Sequence, residues 1–380
     1  MFWTLTYFHL YHMKLLINLT GYYGGGPFQV ALSFLDECKL HCENSYIVLL
    51  GECFWLYVDI TAFPDNFKII KAPDIDWYKR KNAYLQYEND GVDVVFTVFG
   101  PSYSKFRVPH IVGFAQGYYI YPESVFWKRA PLLVRIKQQL KKAIHLYYYK
   151  KYADVIVSET EAVSDRIRAI LGEEKKYYTV YNTYSNVYNN VDPNIKILPD
   201  KTNGEFRFLT LAKYYVHKNL EIIPNVIKIL LSRNVNNVRF VVSIDKENYN
   251  RIFSDCTKYV INAGFVKSED CPSLYNECDA VFIPTLIECF SASYPEAMKM
   301  KKPIITSDLD FAHTICKDAA LYFNPCDPLL IADTIQKLIS DINIQNKLIQ
   351  KGDNIIAKWP TAADRAASYL EICSKVCFKK

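Results

Sequence analysis

The stretch Ala280-Val-Phe-Ile-Pro-Thr-Leu-Ile-Glu288-Cys-Phe-Ser-Ala-Ser-Tyr-Pro-Glu296-Ala-Met-Lys-Met300 decides how the rest of the chain is read. Its apolar opening, closed by Pro284, reads as a buried strand, and the residues after Tyr294 follow a helical period. Between them lies a turn flanked by two carboxylates, Glu288 and Glu296. Ser291 and Ser293 stand where a helix takes cap hydroxyls. The free N–H groups and dipole of a helix start favour a phosphate at such a turn. The carboxylates are then placed to accept hydrogen bonds from hydroxyls on either side of that phosphate. Taken alone, the spacing also suits an ordinary strand-to-helix turn with two solvated glutamates.

Upstream, Leu209-Thr-Leu-Ala-Lys213-Tyr-Tyr-Val-His-Lys218-Asn219-Leu220 sets two lysines just after another predicted strand. Cations there fall on the same carboxyl edge of a sheet as the Glu288 turn. Two ammonium groups facing one anion site suit a diphosphate, whose leaving-group charge they would stabilise. The plainer reading of each lysine is a solvated loop residue.

The pattern around these motifs is that of two successive parallel-sheet units. In the first half, predicted strands at 14–18, 45–50, 94–98, 110–115, 155–158 and 178–180 alternate with helical patterns at 28–39, 77–88, 130–151 and 161–171. Periodicity is lost in the Asn-, Asp- and Pro-rich stretch 182–203 and then restarts. Strands follow at 206–211, 238–243, 280–283, 303–306 and 320–323, with helices at 220–231, 294–300 and 331–340. The division expected is an arm at 1–12, a first domain at 13–195 and a linker at 196–204. A second domain at 205–355 and a terminal segment at 356–380 complete it.

Composition bounds the function. The 380 residues carry a net charge of +5, too mild for a nucleic-acid binder without clustering. Eleven cysteines without any C-x-x-C pair suggest reduced thiols filling the core, hence a cytoplasmic protein. The first residues lack the basic start of a signal peptide, and no stretch is long and apolar enough to span a bilayer. Met13-Lys-Leu-Leu-Ile-Asn18 looks like a natural start, which makes 1–12 an extension or a loose arm.

The segment 274–328 resembles the retaining glycosyltransferases of the group 1 (family 4) type. Leu274-Tyr-Asn-Glu-Cys-Asp-Ala-Val-Phe-Ile-Pro-Thr, the Glu288–Met298 run, Lys302-Pro-Ile-Ile-Thr-Ser-Asp308 and Asp318-Ala-Ala-Leu-Tyr-Phe-Asn-Pro-Cys-Asp327-Pro328 follow that pattern in order. The likeness extends thinly upstream to Ser158-Glu-Thr-Glu-Ala-Val-Ser-Asp-Arg-Ile-Arg and Val180-Tyr-Asn182. It implies a GT-B fold, two Rossmann-like doubly wound domains facing across a cleft. It further implies that Glu288 contacts hydroxyls of a donor sugar and Glu296 the nucleotide ribose, and that Lys218 binds phosphate. Lys213 stands where arginine is usual, keeping the charge but losing the bidentate fork. Phe290, Ser291, Ala292 and Ser293 replace a usual glycine-rich turn on the donor side.

Three further regions complete the expected site. Gly24, Gly25 and Gly26 follow the first strand, and Pro27 suits a first helical turn. On residues alone this is a flexible turn or a ligand loop; the resemblance places Gly25 and Gly26 against the donor and Gly24 towards the acceptor. Gln116 and Tyr118, after the strand at 110–115, fall on the acceptor side. Related enzymes often carry a histidine in this region. A glutamine supplies no general base, which fits retention with the departing phosphate accepting the proton. Residues 128–151 hold eight cations and no acid, with Leu132, Ile136, Leu140 and Ile144 forming a stripe. Such a helix either lies on an anionic membrane or turns its stripe into a core.

The reading that follows is a retaining glycosyltransferase. It moves a sugar from a nucleoside diphosphate donor to a saccharide acceptor, lipid-linked, in bacterial surface polysaccharide assembly such as O-antigen. Neither metal nor other cofactor is expected, because the lysines supply the charge; contact with the inner face of the membrane runs through 128–151. Alternatives are a nucleotide-sugar epimerase of the same fold or a non-catalytic nucleotide-sugar-binding protein. A dinucleotide-dependent oxidoreductase is disfavoured by the missing Gly-x-Gly-x-x-Gly.

Overall fold

The computed structural model describes residues 12–21 and 25–378. Of the arm expected at 1–12, only His12 falls within them. The chain divides into two compact units. One takes the chain up to Ala115, Ala143–Val180 and the last helix; the other takes Gln116–Lys142 and Tyr181–Ala362.

The first unit is built on seven parallel strands: β1 Lys14–Leu19, β2 Ser45–Leu50, β3 Phe67–Lys71, β4 Val94–Thr97, β5 His110–Phe114, β6 Val155–Ser158 and β7 Lys176–Thr179. Their order is β3-β2-β1-β4-β5-β6-β7. Leu15, Ile17, Val48, Leu50, Val94 and Phe96 meet in one core with Val30, Ala31 and Phe34 of the helix Gly26–Cys38. The last helix, Ala362–Phe378, adds Ala366, Tyr369 and Cys373 to that core, with Tyr369 edge-on to Phe34. His110 is buried between Thr97 and the Tyr152 carbonyl, and burial pushes its imidazole down to about 4, so it is a neutral structural residue.

The second unit has six parallel strands: β8 Phe206–Thr210, β9 Val238–Val242, β10 Val260–Asn262, β11 Ala280–Ile283, β12 Ile304–Ser307 and β13 Ala320–Phe323. Their order, β10-β9-β8-β11-β12-β13, is the doubly wound order of a Rossmann sheet. One face packs Phe208, Phe240 and Phe282 on Ile223, Val226, Ile331 and Ile335. The other packs Leu209, Val281 and Ile304 on Tyr275, Tyr294 and Ile315.

Three expectations need correcting. Residues 77–88 form two 3-10 turns, Trp77–Asn82 and Leu85–Asp90, in place of one helix. Tyr84 and Glu88 are the residues buried there, too few for an apolar stripe. The stretch 196–204, read as a linker, is pinned to the second unit. Glu277 accepts hydrogen bonds from Ile197 and Leu198 N–H at 2.7 and 2.8 Å, and Lys201 pairs with Asp279. Residues 181–195, assigned to the first domain, likewise belong to the second unit, where Tyr184 and Tyr188 enter its core. Their polar composition hid these apolar anchors.

Candidate active site

In a doubly wound sheet, ligands bind beyond the carboxyl ends of the strands where the winding reverses. In the second unit that point lies between β8 and β11, which pair directly. The two loops leaving these strands carry Lys213 and Lys218 on one side and Glu288 on the other.

Lys218 and Glu288 meet. Lys218 Nζ lies 2.8 Å from Glu288 Oε1, and both side chains are mostly buried. Burial pushes the Glu288 carboxyl up, but Lys218 and His217 outweigh it and hold the carboxyl at about 2. Glu288 is therefore ionised throughout the physiological range. Lys213 is exposed, nearer the start of the same loop.

The backbone around Lys218 is held by Asn219, in the left-handed region with φ 57°. Asparagine tolerates that conformation better than other residues with a side chain. Its buried amide donates to the Pro284 carbonyl at 3.2 Å and the Pro325 carbonyl at 2.8 Å. One side chain thus ties the loop after β8 to the loops after β11 and β13. Leu286 N–H donates to the His217 carbonyl at 2.8 Å and fixes the two site loops to each other.

The Glu288 turn enters the helix Ser293–Lys299 through Ala292, without a side-chain cap. The expected cap hydroxyls are thus corrected. Ser291 is buried, and the Ser293 hydroxyl donates to the Leu211 carbonyl at 3.4 Å. That bond draws the turn to the end of β8. Phe290 packs in the core, its ring 6.4 Å from Trp359, so the turn can offer a ligand backbone but not this ring. Trp359 in turn donates to the Asn182 carbonyl. Glu296 is held elsewhere on the helix by the Tyr275 hydroxyl at 2.9 Å. Burial pushes its carboxyl up to about 7, against hydrogen bonds from Tyr275 and Tyr188.

The segment after β5 completes this side. Gln116 precedes the short helix Gly117–Ile120 and its side chain makes no cap. Gly117 runs against Glu288: a Cβ there would lie 3.2 Å from the Glu288 carbonyl carbon and 3.4 Å from Cys289 N. Only glycine fits without moving that backbone. Tyr118 hydroxyl lies 2.5 Å from His217 Nδ1, and His217 Nε2 lies 3.4 Å from Glu288 Oε2. Burial lowers the His217 imidazole below its ordinary range, opposed by the bond to Glu288.

The glycine loop belongs to the first unit. Gly25 has φ 64° and precedes the helix Gly26–Cys38, with proline in its first turn. A Cβ at Gly25 or Gly26 would meet nothing within 4 Å, so open space borders both. Gly24 lies outside the described residues.

The family profile described as Glycosyl transferases group 1 matches residues 205–341, the span that holds Lys213, Lys218, Glu288 and Glu296. Residues 205–341 are a group 1 glycosyltransferase domain, and the protein is a glycosyltransferase. Curated proteins give no match at the level of sequence. Among solved structures, sucrose-phosphate synthase from Thermosynechococcus elongatus is similar with a TM-score of 0.71 at 12% identity, over 96% of this chain and 99% of that one. HepE of Anabaena, solved in complex with UDP-glucose, gives 0.68 at 14% identity over 96% and 100%. WaaG, a glycosyltransferase involved in lipopolysaccharide biosynthesis, gives 0.69 at 12% identity over 95% and 99%. The glycosyltransferase thus has the GT-B fold, two parallel-sheet α/β units.

The groups that sequence reasoning passed over are His217, Asn219, Gly117, Tyr275 and Tyr188. His217 and Asn219 flank Lys218 in the chain, so adjacency was their one signal. Among the described residues of the glycosyltransferase, no group of three or more His, Cys, Asp or Glu is arranged to hold a metal ion.

Proposed function

We propose that the enzyme transfers a sugar from a nucleoside diphosphate sugar to a hydroxyl of a saccharide acceptor, with retention at the anomeric carbon. The observation that carries this reading is the Lys218–Glu288 pair at the switch point between β8 and β11. A cation and a hydroxyl-accepting carboxylate stand together where a diphosphate sugar presents both partners. The complex of HepE with UDP-glucose supports such a donor. Lys218 and Lys213 would stabilise the departing diphosphate, Glu288 would orient the sugar and Glu296 the ribose. As the bond from the anomeric carbon to the phosphate oxygen breaks, the acceptor oxygen forms its bond to that carbon. The acceptor's proton passes to the departing phosphate, so Gln116 need not act as a base.

Because the two lysines supply the countercharge, transfer is proposed to need no divalent cation. The test is a thermal-shift panel of UDP, GDP, dTDP, CMP and NAD, followed by transfer assays with and without EDTA. One nucleoside diphosphate should raise the melting temperature, by about 2.7 kcal/mol of stabilisation at a hundredfold excess over its dissociation constant. Activity should survive EDTA. A shift with NAD alone would sink the transferase mechanism in favour of redox chemistry, and activity abolished by EDTA would overturn metal independence.

We further propose a lipid-linked acceptor in bacterial surface polysaccharide synthesis, reached from the inner face of the membrane. The helix Leu132–Tyr152 supports this. Leu133 is 80% exposed and Leu140 62%, and Leu132, Ile136 and Ile144 are also exposed, so the stripe does not serve as core. The residues the helix buries are His145 and Tyr149. Apolar side chains set among cations suit an anionic bilayer, each cation adding about 1 kcal/mol near the surface. No helix among the described residues is long and apolar enough to cross a membrane. The protein should float with phosphatidylglycerol vesicles, remain behind with phosphatidylcholine alone, and lose flotation in Leu133→Glu/Leu140→Glu. Equal flotation with both lipids, or none with either, contradicts the proposal. The role of WaaG in lipopolysaccharide biosynthesis is consistent with this setting.

A further inference from the structure

The contacts Tyr118–His217–Glu288 have a direction. Glu288, ionised, can only accept, so the His217 Nε2 facing its Oε2 at 3.4 Å carries the proton. Nδ1 is then an acceptor and receives a hydrogen bond from the Tyr118 hydroxyl at 2.5 Å. Every group in the row is satisfied with His217 neutral. The charged and titratable groups facing the imidazole are Glu288 on the β11 loop, Tyr118 on the segment after β5, and Lys218 and Tyr215 on its own loop. Tyr215 stacks on the ring at 5.4 Å between centroids.

In this arrangement Lys218 is the full cation paired with Glu288, and it occupies Oε1. The donor reading, on which this inference rests, asks the same ammonium to serve a diphosphate. If Lys218 turns to that anion, a mostly buried carboxylate loses its countercharge, which is costly unless another is supplied. The neighbour able to supply one is His217, already in line. Burial, with Lys218 as a smaller influence, keeps the imidazole neutral; moving the ammonium away and bringing an anion in act in the opposite sense.

We propose that donor binding is coupled to protonation of His217. As Lys218 turns to the diphosphate, one proton is taken from solvent onto Nδ1, and imidazolium replaces ammonium as the counter-ion of Glu288. Tyr118 reverses from donor to acceptor, its hydroxyl keeping its proton and rotating to point it away from the ring, so one proton is gained in all. His217 and Tyr118 are in this scheme positioning residues: they hold Glu288 in place while its first partner leaves.

The experiment is calorimetric titration of the full chain with UDP-glucose at neutral pH, in buffers of contrasting ionisation enthalpy. UDP-glucose is chosen because its diphosphate has no proton to exchange near neutrality. Wild type should take up about half a proton or more per donor bound, and its affinity should fall by up to about tenfold per unit of rising pH. His217→Gln keeps an amide donor for Glu288 but cannot ionise; it should bind UDP-glucose with no uptake. Glu288→Gln keeps the shape but removes the charge, and uptake should vanish there too. Binding by wild type without uptake, or uptake unchanged in either variant, overturns the coupling while leaving the donor reading intact. Failure of wild type to bind UDP-glucose, GDP-mannose or dTDP-glucose overturns the donor reading, and the coupling with it.

Discussion

Replacing Lys218 by alanine is expected to lower kcat/KM by about 10²–10³-fold, the scale set by removing one preorganised charge-stabilising group. Lys218 Nζ lies 2.8 Å from Glu288 in a mostly buried setting, so its charge acts with little screening. The same substitution strands Glu288, whose carboxyl is held at about 2 after burial is outweighed by Lys218 and His217. A buried carboxylate left to His217, which must first take up a proton to replace the ammonium, destabilises the fold, so the melting temperature should drop as well. The two effects separate in the double variant Lys218→Met/Glu288→Gln, which has no charge left to strand. Its melting temperature should recover towards wild type while its activity stays low. Arginine at 218 should restore part of the activity, because it keeps the charge but not the compact ammonium. An alanine variant within a few-fold of wild type in kcat/KM would remove Lys218 from the mechanism.

The second large effect is expected at Asn219, which touches no proposed substrate. Alanine there must hold φ near 57°, at a cost of about 1 kcal/mol or more. It also removes the donors that satisfy the Pro284 and Pro325 carbonyls, each loss costing about 1–3 kcal/mol. The combined loss predicts a melting temperature lower by roughly 5–10 °C. Glycine at the same position avoids the backbone cost alone and should recover only part of the difference. Activity should fall in both, since the three strand-end loops that place Lys218 are no longer tied. Thermal melts that place alanine and wild type together would contradict this account of the loop.

These two residues also mark the limit of what the sequence discloses. Lys218 and Glu288 could be read in advance because each follows an apolar strand and carries a charge where a sheet ends. The strands themselves were legible where both faces are buried, as at Ala280–Ile283, and the apolar edge strand Ala320–Phe323 is likewise read at its observed bounds. Phe67–Lys71 escaped because it is an edge strand with no fully buried residue and no alternation, and Val260–Asn262 because three residues carry no period. The basic helix gave its stripe to the eye but not its environment, since the same spacing serves a core or a lipid surface. Asn219 and His217 lay beyond reach for a different reason. Their partners, Pro325 and Tyr118, stand about a hundred positions away. No local pattern encodes such pairings; only the winding of the sheet brings them together.

The close passage of Gly117 past Glu288 has a consequence for anyone wishing to reprogram the enzyme towards a new donor. Moving the 288–293 turn towards residue 117 is closed, because backbone already meets backbone there. Any side chain introduced at residue 117 must shift the 288–289 backbone by a few tenths of an ångström, and with it the carboxylate. Diversity is better spent on the residues around exposed Lys213, with Lys213 itself kept for its charge, where new side chains meet solvent first and leave the carboxylate's backing undisturbed.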